Sequence, residues 1–254
     1  MSEKPRERLR ILSYNIHKGF SLDRRFVLNA IKEAIRTTGA EMVFLQEVIG
    51  ENKKHSRKLA EWPVASQLEF LADEMWPHFA YGKNAVYTEG HHGNAILSRH
   101  PILSFENIDI SNNRFERRGL LHATIERLRP EDPDLHVVCV HLDLFEKGRL
   151  QQIERIVKRI HAHVPDECPL IIAGDFNDWR ENASPILHGE LGVHEVFNKL
   201  HGHHARSFPA WFPFLPLDRI YIRGLRELEA RCFTDTPWDK LSDHGALLAV
   251  IEAG

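Results

Sequence analysis

Short apolar runs recur along the chain, and nearly every one is closed by a polar or turn-forming residue. Residues 9–14 (Leu-Arg-Ile-Leu-Ser-Tyr) and 42–46 read as buried strands. Between them Phe26, Val27, Ala30, Ile31, Ala34 and Ile35 fall at helical spacing over 26–36, and Gly39 predicts the helix stop. Strand, helix and strand in succession imply a crossover unit. Residues 50–62 are polar and charged and predict a solvated loop, followed by a second helix over 65–75. Strands are expected at 94–98, 102–110, 120–128 and 136–141, with turn residues between them. The clearest helix covers 148–162, where Leu150, Ile153, Ile156, Val157 and Ile160 form one stripe. Strands at 170–173, 217–222, 227–233 and 246–251 complete the pattern. Many strands with few helices imply two packed sheets with helices outside. Periodicity predicts mixed α and β and leaves the topology open. No repeat, low-complexity tract or linker interrupts the chain, so a tail over 1–8 and a single domain over 9–254 are expected.

The polar residues that close these runs form a chemical set. Asn15 follows the first strand and Glu47 the second. His141 follows Val137 to Val140, and Asp175 and Asn177 follow the 170–173 run. Asp218 precedes the strand at 219–222, and Asp243 and His244 precede the last strand. A single carboxylate at a strand end is ordinarily a turn former. Together, however, Glu, Asp and Asn supply hard oxygen ligands that suit Mg²⁺, Mn²⁺ or Ca²⁺, and two histidines add proton carriers or phosphate donors. Hydrolysis of a phosphoester asks for this combination: a cation against developing charge, a carboxylate for water, a donor for the leaving oxygen.

Composition adjusts that picture only modestly. The 254 residues carry a formal charge of -3, which argues weakly against a nucleic-acid substrate because no basic surplus is visible. Cys139, Cys168 and Cys232 are odd in number and include no C-x-x-C pair. They read as reduced, with Cys139 a buried small hydrophobe, which together with a charged N-terminus lacking a signal-peptide core predicts a cytoplasmic protein. No apolar run is long enough to span a bilayer. Among the 17 histidines no H-E-x-x-H or cysteine-rich spacing supports zinc, and His201, His203 and His204 read as a surface loop.

Six segments in order resemble the motifs of the endonuclease/exonuclease/phosphatase superfamily: Ser13-Tyr14-Asn15-Ile16, Leu45-Gln46-Glu47-Val48, His141-Leu142, Gly174-Asp175-Phe176-Asn177, Leu217-Asp218-Arg219-Ile220 and Ser242-Asp243-His244. Each alone is a modest signal, and all six at strand edges are a strong one. The resemblance implies a DNase I-like α+β fold, a four-layer α-β-β-α sandwich of two packed mixed sheets flanked by helices, with the site at one open end. It implies a metal-dependent phosphoric ester hydrolase using Mg²⁺ or Mn²⁺, with Ca²⁺ as a stand-in. Glu47 would be the main metal ligand, with Asn15 and Asp243 nearby. Asp175 would orient or deprotonate water, and Asn177 would hold Asp175 or the phosphate. Asp218 and His244 would form a carboxylate–imidazole pair, and His141 would contact phosphate or protonate the leaving group. Segments Asn15-Ile16-His17-Lys18-Gly19 and 91–99 resemble those of small bacterial members.

Further candidates flank this set. In 90–94 (Gly-His-His-Gly-Asn), His92 or Asn94 could touch phosphate, against the alternative of a glycine-rich hairpin with solvated histidines. Arg118, in the pair Arg117-Arg118, offers a guanidinium fork, and His17 and Lys18 lie just past Asn15. Residues 207–217 (Ser-Phe-Pro-Ala-Trp-Phe-Pro-Phe-Leu-Pro-Leu) would border the mouth. They could stack on bases, line an apolar pocket, touch a lipid surface, or fold inward. The substrate is therefore expected to be a phosphoester of a small molecule or lipid head group, with DNA or RNA as the alternative and a non-catalytic scaffold as a remote one. Six buried polar groups without a catalytic task argue against the scaffold. A monomer without a transmembrane segment is expected.

Overall fold

A computed structural model describes residues 8–64, 66–113 and 116–253. The alternating and continuous apolar runs resolve into two six-stranded mixed sheets packed face to face. The first forms from β1 (Arg8–Asn15), β2 (Met42–Asn52), β3 (His78–Tyr87), β4 (Gly90–Ser98) and two late strands, β11 (Leu225–Phe233) and β12 (Ala246–Ala253), in the order β11-β12-β1-β2-β4-β3. The second comprises β5 (Ile102–Asp109), β6 (Gly119–Ile125), β7 (Leu135–His141), β8 (Leu170–Asp175), the two-residue β9 (His194–Glu195) and β10 (Asp218–Arg223), in the order β5-β6-β7-β8-β10-β9.

Strand alternation sorts side chains into three cores. Ile11, Phe44, Ile96 and Leu247 meet Leu121, Val137, Ile171 and Ile220 between the sheets. On the outer face of the first sheet, Leu12, Val43 and Leu45 pack beneath α1 (Leu28–Thr37) and α3 (Gln67–Ala72). On the outer face of the second, Val138, Val140 and Ile172 pack under α4 (Glu146–His163) and α5 (Ala183–Leu191). The result is the expected α-β-β-α layering. Two of these helices span the crossovers between parallel strands, α1 joining β1 to β2 and α4 joining β7 to β8. Among the described residues, no helix is long and apolar enough to cross a membrane.

The structure corrects the sequence reading in several places. The supposed loop over 50–62 begins as strand, since β2 continues to Asn52, and then forms α2 (Lys53–Lys58), capped by the Asn52 side chain accepting from the His55 backbone. Its lack of apolar periodicity reflects a helix with no buried residue. Residues 90–94 belong to β4 and pair with β2 and β3, so they are not a loop preceding a strand. Strand β3 escaped prediction because the sheet edge leaves it half exposed and its hydrophobic alternation is broken by Gly82, Lys83 and Asn84. The short helices α5 and α6 (Val196–His201) were also missed. His201 ends α6, and His204 is buried, with Nδ1 2.8 Å from Glu195 Oε2, so 201–204 is not a surface loop throughout.

Candidate active site

The ladder of the second sheet sets three candidate side chains abreast. β7 and β8 run parallel with His141 opposite Asp175, and β8 and β10 run antiparallel with Asp175 opposite Asp218. Gly174 permits that approach: its φ is +148°, and a Cβ there would fall 1.9 Å from the Val140 carbonyl oxygen. The chain then turns at Asn177, whose φ of 50° is tolerated because an Asn side chain can bond locally. The Asn177 backbone N–H donates to Asp175 Oδ1 (2.9 Å), and its side-chain amide donates to the Leu142 carbonyl (2.9 Å).

Asp175 Oδ2 is the hub of a buried cluster. It accepts from Asn15 Nδ2 at 3.1 Å and lies 3.4 Å from His141 Nε2 and 3.6 Å from His244 Nε2. The other His244 nitrogen, Nδ1, is 2.8 Å from Asp218 Oδ2, which also accepts from the Ser207 hydroxyl. Asn15 and His244 come from the first sheet and its approach to β12, so the cluster bridges both layers at one end. Ser242 secures the crossing by donating to the Asn15 carbonyl at 2.7 Å.

A second corner is built from the first sheet. Two residues of β2, Gln46 and Glu47, face only Asn94 of β4, producing a bulge between Leu45 and Val48. At Glu47 φ is 59°, an uncommon conformation for a side chain with a Cβ, so the bulge re-aims the carboxylate. His17 (φ 44°) and Lys18 (φ 60°) adopt the same left-handed region in the 3-10 turn after β1. Lys18 Nζ lies 3.3 Å from Glu47 Oε2, and His17 Nδ1 lies 3.9 Å from Asp243 Oδ1. Both imidazole and carboxylate of the latter pair are partly exposed.

Electrostatics divide the same way. Burial alone would discharge His244, but the Asp218 and Asp175 carboxylates outweigh it and raise the ring to about 10, so it is an imidazolium at neutral pH. Asp175 is pushed upward, chiefly by burial and secondarily by Asp218. His141 is held far below the usual histidine range by burial, reinforced by Arg118. Burial likewise lowers His92 to about 4, with Lys18 assisting. Burial would raise Glu47, yet Lys18, His17 and His92 outweigh it, and its carboxyl stays below the usual range.

The flanking candidates land at the same end with different commitments. The Asn94 amide donates to the Gly119 and Cys139 carbonyls (3.0 and 3.3 Å), stitching the sheets together. His92 sits within reach of the Glu47 and Lys18 charges. Arg118 pairs with Glu116 at 2.6 Å while its Nε is buried without a hydrogen bond. Arg117 points elsewhere, pairing with Asp109. In the 207–217 loop, Phe208 packs on His244 with centroids 4.9 Å apart, but Trp211, Phe212 and Phe214 are 65%, 64% and 53% exposed, so only part of it folds inward. Sequence reasoning missed Ser207, which anchors Asp218. It also missed the buried frame behind Asp175, where Arg149 and Arg219 contact the Asp178 carboxylate and carbonyl. A lone serine in an aromatic loop, an arginine on α4 and another on β10 give no compositional signal. The three cysteines are free, and Cys139 is buried.

Asp175, Asp218 and His244 converge closely enough to hold an ion, although Asp218 Oδ2 already lies within hydrogen-bond distance of His244 Nδ1. The donor chemistry suits a hard divalent cation elsewhere in the hollow. Among the described residues, Asp218 Oδ1 is buried without a hydrogen bond and Glu47 Oε2 meets only the Lys18 ammonium, and the surrounding ligand atoms belong to carboxylates, amides and imidazoles with no thiolate among them.

A two-sheet sandwich with carboxylates and imidazoles gathered at one end of both sheets defines a class of hydrolytic enzymes that act on phosphoesters. The chain belongs to the Endonuclease/Exonuclease/phosphatase family, which it matches over residues 12–244 and whose members are usually divalent-metal dependent. It is 45% identical to the uncharacterized protein YbhP of Escherichia coli (strain K12) over 245 residues, 95% of each chain. Its fold resembles an endonuclease/exonuclease/phosphatase from Beutenbergia cavernae at a TM-score of 0.75 with 18% identity, covering 98% of this chain and 72% of that one. It also resembles a mannosyl-6-phosphatase of Bacteroides thetaiotaomicron at 0.72 with 15% identity, covering 96% and 99%.

Proposed function

We propose that the protein is a Mg²⁺- or Mn²⁺-dependent phosphodiesterase acting on a small-molecule or lipid head-group phosphoester. The observation that carries the reading is the unbroken chain of contacts from Asp218 through His244 to Asp175, and on to Asn15 and His141. Glu47, Asn15 and Asp243 would hold the cation, which when bound supplies neutralisation of charge on the phosphoryl oxygens. Asp175, anchored by the Asn177 backbone and the Asn15 amide, faces the attacking water and takes its proton as the new oxygen–phosphorus bond forms. An upward-shifted carboxyl is a stronger base for this than an ordinary one. The bond to the leaving oxygen breaks, and that oxygen takes a proton from His244, the ring kept charged by Asp218. His141, kept neutral, hydrogen-bonds the phosphate, with His92 and Arg118 as further contacts. Exposed Trp211, Phe212 and Phe214, on the loop whose Phe208 packs on His244, support a substrate with an apolar part.

The test is a hydrolysis panel with and without EDTA: a generic phosphodiester, a phosphomonoester, plasmid DNA, RNA and phospholipids. The expected result is EDTA-sensitive cleavage of the phosphodiester or phospholipid and little action on plasmid. The same aromatic tips could stack on bases, so preferential cleavage of DNA or RNA would replace the small-substrate reading with a nuclease.

A further inference from the structure

Lys18 has no place in the chemistry described above, yet the fold takes unusual care over it. It lies in left-handed backbone next to His17, itself left-handed, and faces a third left-handed residue, Glu47. A buried glutamine from α3 clamps both partners. Gln67 Nε2 donates to the Lys18 carbonyl at 2.8 Å, while Oε1 accepts from the Ile49 backbone at 2.9 Å, two residues past Glu47. Gln67 is 1% exposed, so this bracket fixes the distance between the turn and the bulge. Three strained residues held by one buried amide are costly unless the juxtaposition is used.

The juxtaposition is an ammonium against a metal-binding carboxylate. Lys18 Nζ is 3.3 Å from Glu47 Oε2, a buried oxygen with no other donor among the described residues. Only one side of the pair is free to leave: the Lys18 side chain is 42% exposed and sits on a flexible stem, whereas the Glu47 side chain is 19% exposed. The ammonium is also within electrostatic reach of His92 and His141, the two rings assigned above to phosphate.

Resting on the reading of Glu47 as a cation ligand, we propose that Lys18 and the divalent ion compete for Glu47, and that the displaced ammonium turns to the substrate phosphate. The pair thus balances the acidic corner until the ion arrives. Ion binding then delivers a positive charge to the place where an anionic substrate docks. Gln67 is the positioning residue that keeps the exchange short.

The competition predicts opposite signs for two measurements on one variant. Lys18→Gln is compared with wild type and with Lys53→Gln, which removes an exposed partner of Glu51. In EDTA, Lys18→Gln melts about 3 °C lower, because Glu47 loses its counter-charge. By calorimetry with Mn²⁺ alone, the same variant binds about fivefold more tightly, because the competitor is gone. Its KM for the best phosphoester rises more than its kcat falls, and Lys18→Arg restores part of the KM. Lys53→Gln moves none of these. If wild type binds Mn²⁺ and Lys18→Gln binds it equally or more weakly, the competition is wrong while the metal reading stands. If wild type binds no Mn²⁺, the metal reading itself falls, and the proposal falls with it.

Discussion

The two corners of the site are built by different means. The Asp175–Asp218–His244 corner rests on ladder register: its carboxylates start or end neighbouring strands, and each is tied by hydrogen bonds under 3.2 Å. The Glu47–Lys18 corner rests on a bulge and a turn, with left-handed residues and partly exposed ion pairs. Register is enforced by every side chain along a strand, because β7 and β8 are buried on both faces and a one-residue slip would send each side chain into the opposite core. A bulge is enforced locally and leaves room for adjustment. The first corner therefore suits proton chemistry, which needs fixed distances, and the second suits exchange of ions, which needs give.

The sharpest way to break that comparison is to neutralise one carboxylate in each corner. Asp175→Asn keeps the shape but removes the proposed base, and kcat should fall by about 10³-fold, within the usual range for a general base. Its Mn²⁺-induced rise in melting temperature should persist. Glu47→Gln should do the reverse: the Mn²⁺-induced rise disappears, while kcat/KM at saturating metal falls by about 10²-fold through loss of a ligand. Thermal shifts and steady-state rates on both variants decide the matter. Equal losses of Mn²⁺ stabilisation would show that the corners are one metal site and not two devices.

How much of this was legible in sequence follows the same divide. Strand ends were readable because a buried strand is a run of apolar residues with an abrupt polar stop, so Asn15, His141, Asp175 and Asp218 announced themselves as the residues closing β1, β7 and β8 and opening β10. That Asp175 faces His141 and Asp218 was not readable, since pairing joins residues distant in sequence and periodicity carries no partner. The Glu47 bulge left no trace: the second strand was expected to stop at residue 46 with Glu47 just past it, because a polar residue inside a bulged strand looks the same in sequence as one that closes a strand. Edge strand β3 and α2 were missed for a shared reason: neither buries a clean stripe. His204 looked like part of a solvated histidine loop, and only the fold reveals Glu195 and Ser184 as its partners.

A milder test loads the strand that carries His141 from its other end. His136 lies near the start of β7, and its ring meets that of His122 on β6, with Nδ1 and Nε2 3.0 Å apart. Burial lowers His122 to about 4 and lowers His136 as well, so the folded pair refuses protons that the unfolded chain accepts near 6.5. Their contribution to stability is thus intact above about pH 6.5 and is lost as pH falls toward 4. The loss should be on the order of 2 kcal/mol, since both rings are less than a tenth exposed. Melting temperatures from pH 7.5 to 4.5 should fall more steeply for wild type than for His122→Gln. Parallel curves would mean that the pair is solvated and takes no part in aligning the ladder.

The smallest expected effect isolates one hydrogen bond within the ordered corner. Ser207 donates to the same Asp218 oxygen that orients His244, and it comes from the aromatic loop and not from a strand. Ser207→Ala removes that bond without touching the ladder. If register alone fixes Asp218, catalysis should be nearly unchanged. The Asp218 carboxylate begins its strand, however, so its outer side has no ladder partner to hold it, and Oδ1 accepts no hydrogen bond. Ser207 is then what keeps Oδ2 on the imidazole, and kcat should drop about tenfold, the usual scale for losing a group that orients a functional ligand. Because His244 retains Asp218, KM and the Mn²⁺-induced stabilisation should hold. A Ser207→Ala enzyme with wild-type kcat would return the whole corner to the ladder, and a loss shared by KM would show that the loop positions substrate instead.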